Sequence, residues 1–157
     1  MQQTLIIATL VLLTILSLNF FRANSEQQSM SYQNEAIIEA TAVGQSMVEE
    51  ISTKAFDNNT VSASCTNAAS LTSPYDFGPG SGETTNNTFN DVSDYSGFSK
   101  IVNDPRLGIY SVNVSVYYVD QSSFSPSVTQ TFSKEVDVKV MNAYLKDTLR
   151  LSTIISY

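Results

Sequence analysis

The chain has 157 residues, with 15 acidic against 8 basic side chains, no histidine and one cysteine, for a formal net charge of −7. Lys and Arg form no cluster that could face phosphates, so a nucleic-acid partner is not expected. The lack of histidine removes the commonest general base and metal ligand, so enzymatic chemistry is not expected either. A single thiol, Cys65, cannot close an intrachain disulfide, so a small head must be held by packing, bound ions or neighbouring subunits.

The segment from Met1 to Phe21 is uncharged, and its apolar members are Leu5, Ile6, Ile7, Leu10, Val11, Leu12, Leu13, Ile15, Leu16, Leu18, Phe20 and Phe21. At about 1.5 Å per residue, a helix over 1–21 spans roughly 30 Å, the depth of a bilayer's hydrocarbon. A helix that is apolar all round needs lipid or other copies of itself. Three roles use such a segment: a signal peptide, a single-pass anchor, or a helix that passes from membrane to polymer. No Lys or Arg precedes the apolar core, and Asn19-Phe20-Phe21-Arg22 makes a poor peptidase site.

No Gly/Pro break follows Arg22 until well past residue 57, because Gly44 lies within a helical pattern. Ile37, Ala40, Gly44, Met47, Ile51 and Ala55 recur at spacings of three and four, an apolar stripe, while Glu26, Glu35, Glu39, Glu49, Glu50 and Lys54 lie mostly off it. These signals predict one helix of more than fifty residues, apolar over 1–22 and amphipathic over 23–57, stopped by Asp57-Asn58-Asn59-Thr60.

Residues 58–105 read as a loop-rich connection, with turn upon turn through Ser73–Gly82 and isolated aromatics (Tyr75, Phe77, Phe89, Tyr95, Phe98) as pegs. Oxygen-bearing side chains gather at 90–97. Asp91 and Asp94 are the weak calcium candidates there, although their spacing is not that of an EF-hand. Asn58, Asn86 and Asn113 each open a glycosylation sequon. Cys65 reads as a small buried or half-buried residue, with intermolecular cross-linking or lipid attachment as alternatives.

Over 106–157 the period changes to two. Tyr110, Val112, Val114, Val116 and Tyr118 share one face; Phe132, Val136, Val138 and Val140 follow within 128–140; the last strand covers 148–157. Short turns between them predict an antiparallel meander with one face on the helix. The fold class is therefore α+β. Ile37, Met47 and Ile51 are expected to pack on Val112, Val114, Val116, Val136 and Val138. The last strand ends the chain, either as an open edge or covered by the long loop.

A long N-terminal helix that is apolar at its start and packs on a small β-rich head resembles the type IV pilins and type II secretion pseudopilins. Met1 and Thr4-Leu5-Ile6 resemble the start of that family's mature helix. Leu5 stands where its members usually carry a glutamate, and Arg22 where many carry a proline. The resemblance implies a structural subunit that waits in the inner membrane and then polymerises with itself into an extracellular filament, with assembly machinery as a further partner. It leaves major and minor or tip subunits open. It also leaves open whether a leader was removed ahead of Met1. Arg22 beyond the apolar core weakly favours a cytoplasmic head by the charge rule, whereas the Ser/Thr/Asn/Tyr-rich head and the resemblance favour an outside one. A membrane-anchored binding module outside the cell is the alternative. Asn19, Asn24, Ser17 and Ser25 are mediocre helix formers, and local melting over 15–27 is expected in a polymer.

Overall fold

A computed structural model describes residues 2–157. Met1, the expected first mature residue, lies outside the described residues. Helix α1 runs unbroken over Gln2–Ser52, and its C-terminal part lies on a four-stranded antiparallel sheet of order β1-β2-β3-β4, with strands Ser99–Asp104, Gly108–Tyr118, Ser133–Met141 and Leu149–Ser156. The fold is α+β, a long helix on a small meander.

The helix stops five residues before the expected Asp57. Its last amides shorten to i−3 bonds, Thr53 to Glu50 and Lys54 to Ile51. Hydroxyls take terminal carbonyls: Ser52 Oγ donates to Val48 O and Thr53 Oγ1 to Glu50 O, both at 2.7 Å. Such polar residues favour an end. Ala55 then leaves the helix to exchange backbone bonds with the 90–92 segment.

The buried stripe is Ala36, Ala40, Gly44, Met47 and Ile51. Met47 and Ile51 lie where the pattern put them. Ile37 does not: it is 42% exposed, and Ala36 occupies the contact instead. Small residues at three successive contacts bring the helix close to the sheet; a Cβ on Gly44 would come within 2.1 Å of Leu151 Cδ1. Facing them, Val112, Val114, Val116, Val136, Val138 and Val140 are buried, as is Tyr110.

Strand β1 lies inside the expected loop region. Its alternation is short and polar, and its partner decides it: Ile101 pairs with Ser111 and Val102 with Tyr110. The hairpin turn is built by Asp104, whose Oδ1 accepts the Arg106 N–H at 2.8 Å, and by Gly108 at φ 80°. Strand β3 starts at Ser133, and Val128, expected at its start, is 80% exposed in an irregular segment. Of the pegs, Phe89 and Tyr95 are buried, Phe77 and Phe98 are half-buried, and Tyr75 is 88% exposed, pinning nothing. Strand β4 is an edge; no strand among the described residues pairs with its outer side.

Candidate functional site

Two features stand out: the helix that projects from the head, and a charged centre inside it. Every side chain from Gln2 to Tyr32 is exposed. The head takes hold of the helix at Tyr32, which stacks on Tyr144 with ring centroids 5.5 Å apart. Arg106 adds a 2.7 Å ion pair to Glu35 and sits over the Tyr32 ring. Beyond this collar the rod extends about 45 Å.

The rod's apolar residues all lie in the open: Leu5, Ile6, Ile7, Leu10, Val11, Leu12, Leu13, Ile15, Leu16, Leu18, Phe20 and Phe21, between 51% and 71% exposed. At about 100° per residue they cover the whole circumference instead of a two-residue seam, which is unlike the a/d stripe of a two-stranded coiled coil. Two threonine hydroxyls within it are turned inward. Thr9 Oγ1 donates to Leu5 O and Thr14 Oγ1 to Leu10 O, each at 2.8 Å. The surface so formed is uncharged, and the Thr9 and Thr14 hydroxyls are spent on the helix's own carbonyls. By length and composition the segment is able to cross a bilayer. Residues 15–27 are fully helical in the single chain.

Inside the head, Lys134 lies on β3 in phase with Val136, Val138 and Val140, so the strand's alternation carries it to the helix side. Lys134 and Asp57 are both completely buried, with Nζ 2.8 Å from Asp57 Oδ2. Nζ also donates to Phe56 O at 2.8 Å and Ser93 Oγ at 2.6 Å. The rings of Phe56, Phe77 and Tyr118 surround the ammonium at 4.6, 4.9 and 5.1 Å. Asp57 Oδ1 accepts from Asn59 N, Thr72 N and Thr72 Oγ1 at 3.2, 3.0 and 2.9 Å. Tyr118 OH lies 3.1 Å from Asp57 Oδ2 and 2.8 Å from Thr72 O. Burial lowers the Lys134 pKa; for Asp57 burial pushes upward, but the Lys134 ammonium and the Thr72 donors outweigh it and hold the carboxyl below its ordinary value. One ammonium thus ties together the helix exit, two loop segments and the sheet. Sequence reading missed this centre, although a lysine in the apolar phase of a strand was its signal.

Asp91 and Asp94 are buried next to it. Asp94 Oδ2 accepts the Asn90 and Asp91 N–H groups at 2.9 and 3.0 Å, and Asp91 Oδ1 accepts the Ser93 N–H at 2.6 Å. Together they cap the Val92–Tyr95 turn. Burial and the neighbouring Asp94 charge push the Asp91 pKa up to about 6. Among the described residues, no group of three or more His, Cys, Asp or Glu converges as a metal shell, so the calcium expectation gains no ligand set. Of the sequon asparagines, Asn58 is exposed, Asn113 is half-buried on β2, and Asn86 is half-buried with its amide bonded to Glu50 Oε1 at 2.8 Å. Cys65 is half-buried and unpaired; its Sγ lies 3.1 Å from Asn67 O.

The chain matches no family model, no curated protein and no solved structure.

Proposed function

We propose that this chain is the structural subunit of a type IV pilus-like or pseudopilus-like filament, held in the inner membrane by its rod until assembly and displayed at the cell surface afterwards. The observation that carries the reading is the rod itself. It is continuous with the helix of a folded head, apolar on every side up to Phe21, and exposed from Gln2 to the Tyr32 collar.

Left in water, such a surface costs roughly 25 cal/mol per Å². Lipid removes that cost, and so does a bundle of like rods. Between rods already in lipid the gain is packing, not hydrophobic transfer, so extraction into a polymer requires close contact on several sides. A surface apolar around its whole circumference suits many neighbours better than one. Leu5 offers no carboxylate to a neighbour's terminal amine, so packing sets the axial register.

The test introduces two cysteines into one full-length chain, Leu10→Cys together with Leu13→Cys, with Cys65→Ser to remove the native thiol, and expresses it in cells that carry a pilus assembly system. A disulfide ladder extending past the dimer, with filaments in which this chain is the repeating density, is the expected result. Monomers only, with a protected rod and an accessible head, would establish a tethered ectodomain instead.

A further inference from the structure

We propose that Lys134 and Asp57 are joined in the mature protein by an intramolecular amide bond between Nζ and Cγ. This covalent cross-link would do for the head what a disulfide cannot with one cysteine. The inference concerns the head alone and stands apart from the question of polymerisation.

The two groups are in contact, at 2.8 Å, with no exposure to water on either side and three aromatic rings around the nitrogen. Two buried full charges are expensive in such surroundings. Passing one proton from Nζ to Oδ2 along their hydrogen bond leaves a neutral amine beside a neutral carboxylic acid. The amine lone pair then attacks Cγ, and negative charge develops on Oδ1. That oxygen already faces three donors, the Asn59 and Thr72 N–H groups and the Thr72 hydroxyl, the arrangement that stabilises a tetrahedral oxyanion. As the intermediate collapses, a second proton passes from nitrogen to Oδ2, and the Cγ–Oδ2 bond breaks to release water. One C–N bond forms, one C–O bond breaks, and nothing is oxidised or reduced.

One further proton acceptor touches the nitrogen: Ser93 Oγ accepts from Nζ at 2.6 Å. The donors that favour the Asp57 carboxylate oppose the first proton transfer, so the reaction is slow. It happens once per molecule, within a folded site, and slowness is no obstacle. The site also fits its product. The amide oxygen keeps all three donors of Oδ1, the amide N–H keeps an acceptor, and Tyr118 OH turns to Thr72 O.

Intact mass spectrometry of the full-length protein in detergent tests this directly. The expected mass is one water below that of the sequence, and digestion is expected to give a branched peptide joining the segments around residues 57 and 134. Lys134→Arg and Asp57→Ala are each expected to restore the sequence mass. Asp57→Asn, which keeps the shape of the site, is expected to lose ammonia in place of water and give the same branched peptide. An intact mass equal to the sequence mass, or a lost water mapped elsewhere, overturns the proposal and leaves an ion pair alone. Because the first measurement uses the wild-type chain, a variant that fails to fold does not obscure the answer.

Discussion

Asp91 shows how one buried carboxyl makes the head sensitive to pH. Its environment raises the pKa to about 6 from 3.8. Between those values the folded state binds more protons than the unfolded chain, so this group's contribution falls as pH rises through the window. Above about pH 6 the folded head carries a buried anion beside Asp94. Asp91→Asn keeps an acceptor for the Ser93 N–H and is a good cap in its own right. Thermal melts of the full chain in detergent are expected to show the variant unchanged near pH 4 and more stable by about 1–3 kcal/mol at pH 8. Equal pH profiles for the two proteins would mean that folding leaves the Asp91 pKa unshifted. Lys134 teaches a different lesson at the same scale: the two-residue period of β3 placed it inward, and the chemistry of a lysine then recruited Asp57, Ser93 and three rings to accommodate it.

Among the elements, the contact of α1 with the sheet depends on small side chains. Ala36 and Ala40 are fully buried, and Gly44 has no room for a Cβ unless Leu151 moves. Gly44→Ala gains about 1 kcal/mol of helix propensity, and Leu151 Cδ1 is the mobile end of a side chain, so that variant is expected to be close to neutral. Gly44→Val adds branched bulk with no such compensation and is expected to cost about 1–3 kcal/mol by overpacking. Pairing it with Leu151→Ala is expected to recover part of the loss in denaturant titrations, and additive losses would place the clash elsewhere. The collar of Tyr32, Tyr144, Arg106 and Glu35 is more exposed. Glu35→Gln is expected to change stability by less than about 1 kcal/mol, as solvent-facing ion pairs do.

For the whole molecule, the projecting rod leaves an apolar surface that the head does not cover. A charge at its middle tests what that surface does: Leu12→Arg lies within the uncharged band and is expected to cost about 2.5–3.5 kcal/mol of membrane insertion. Fractionation is expected to show less of that variant in membranes, with assembly lost in parallel. Full membrane retention together with normal filaments would contradict a role for the rod in either place. The Asn19–Ser25 region is helical in the single chain, so melting there, if the proposed assembly brings it about, is a response to neighbours.

Much of this architecture was legible in the chain. An uncharged run too long for a small core announced the rod, a 3.6 period announced the amphipathic half, and a period of two announced β2 and β3. These signals are local, and local spacing sets which face a side chain occupies. Tertiary contact settled the rest. It put Ala36 and not Ile37 against the sheet, because closeness favoured the smaller side chain. It turned Ser99–Asp104 into a strand by supplying the Gly108–Tyr118 edge, and it brought Asp57 to Lys134 across most of the head. A pairing between residues so far apart in sequence leaves no periodic trace in either segment, since what selects it is the shared, dry volume that only the folded chain encloses.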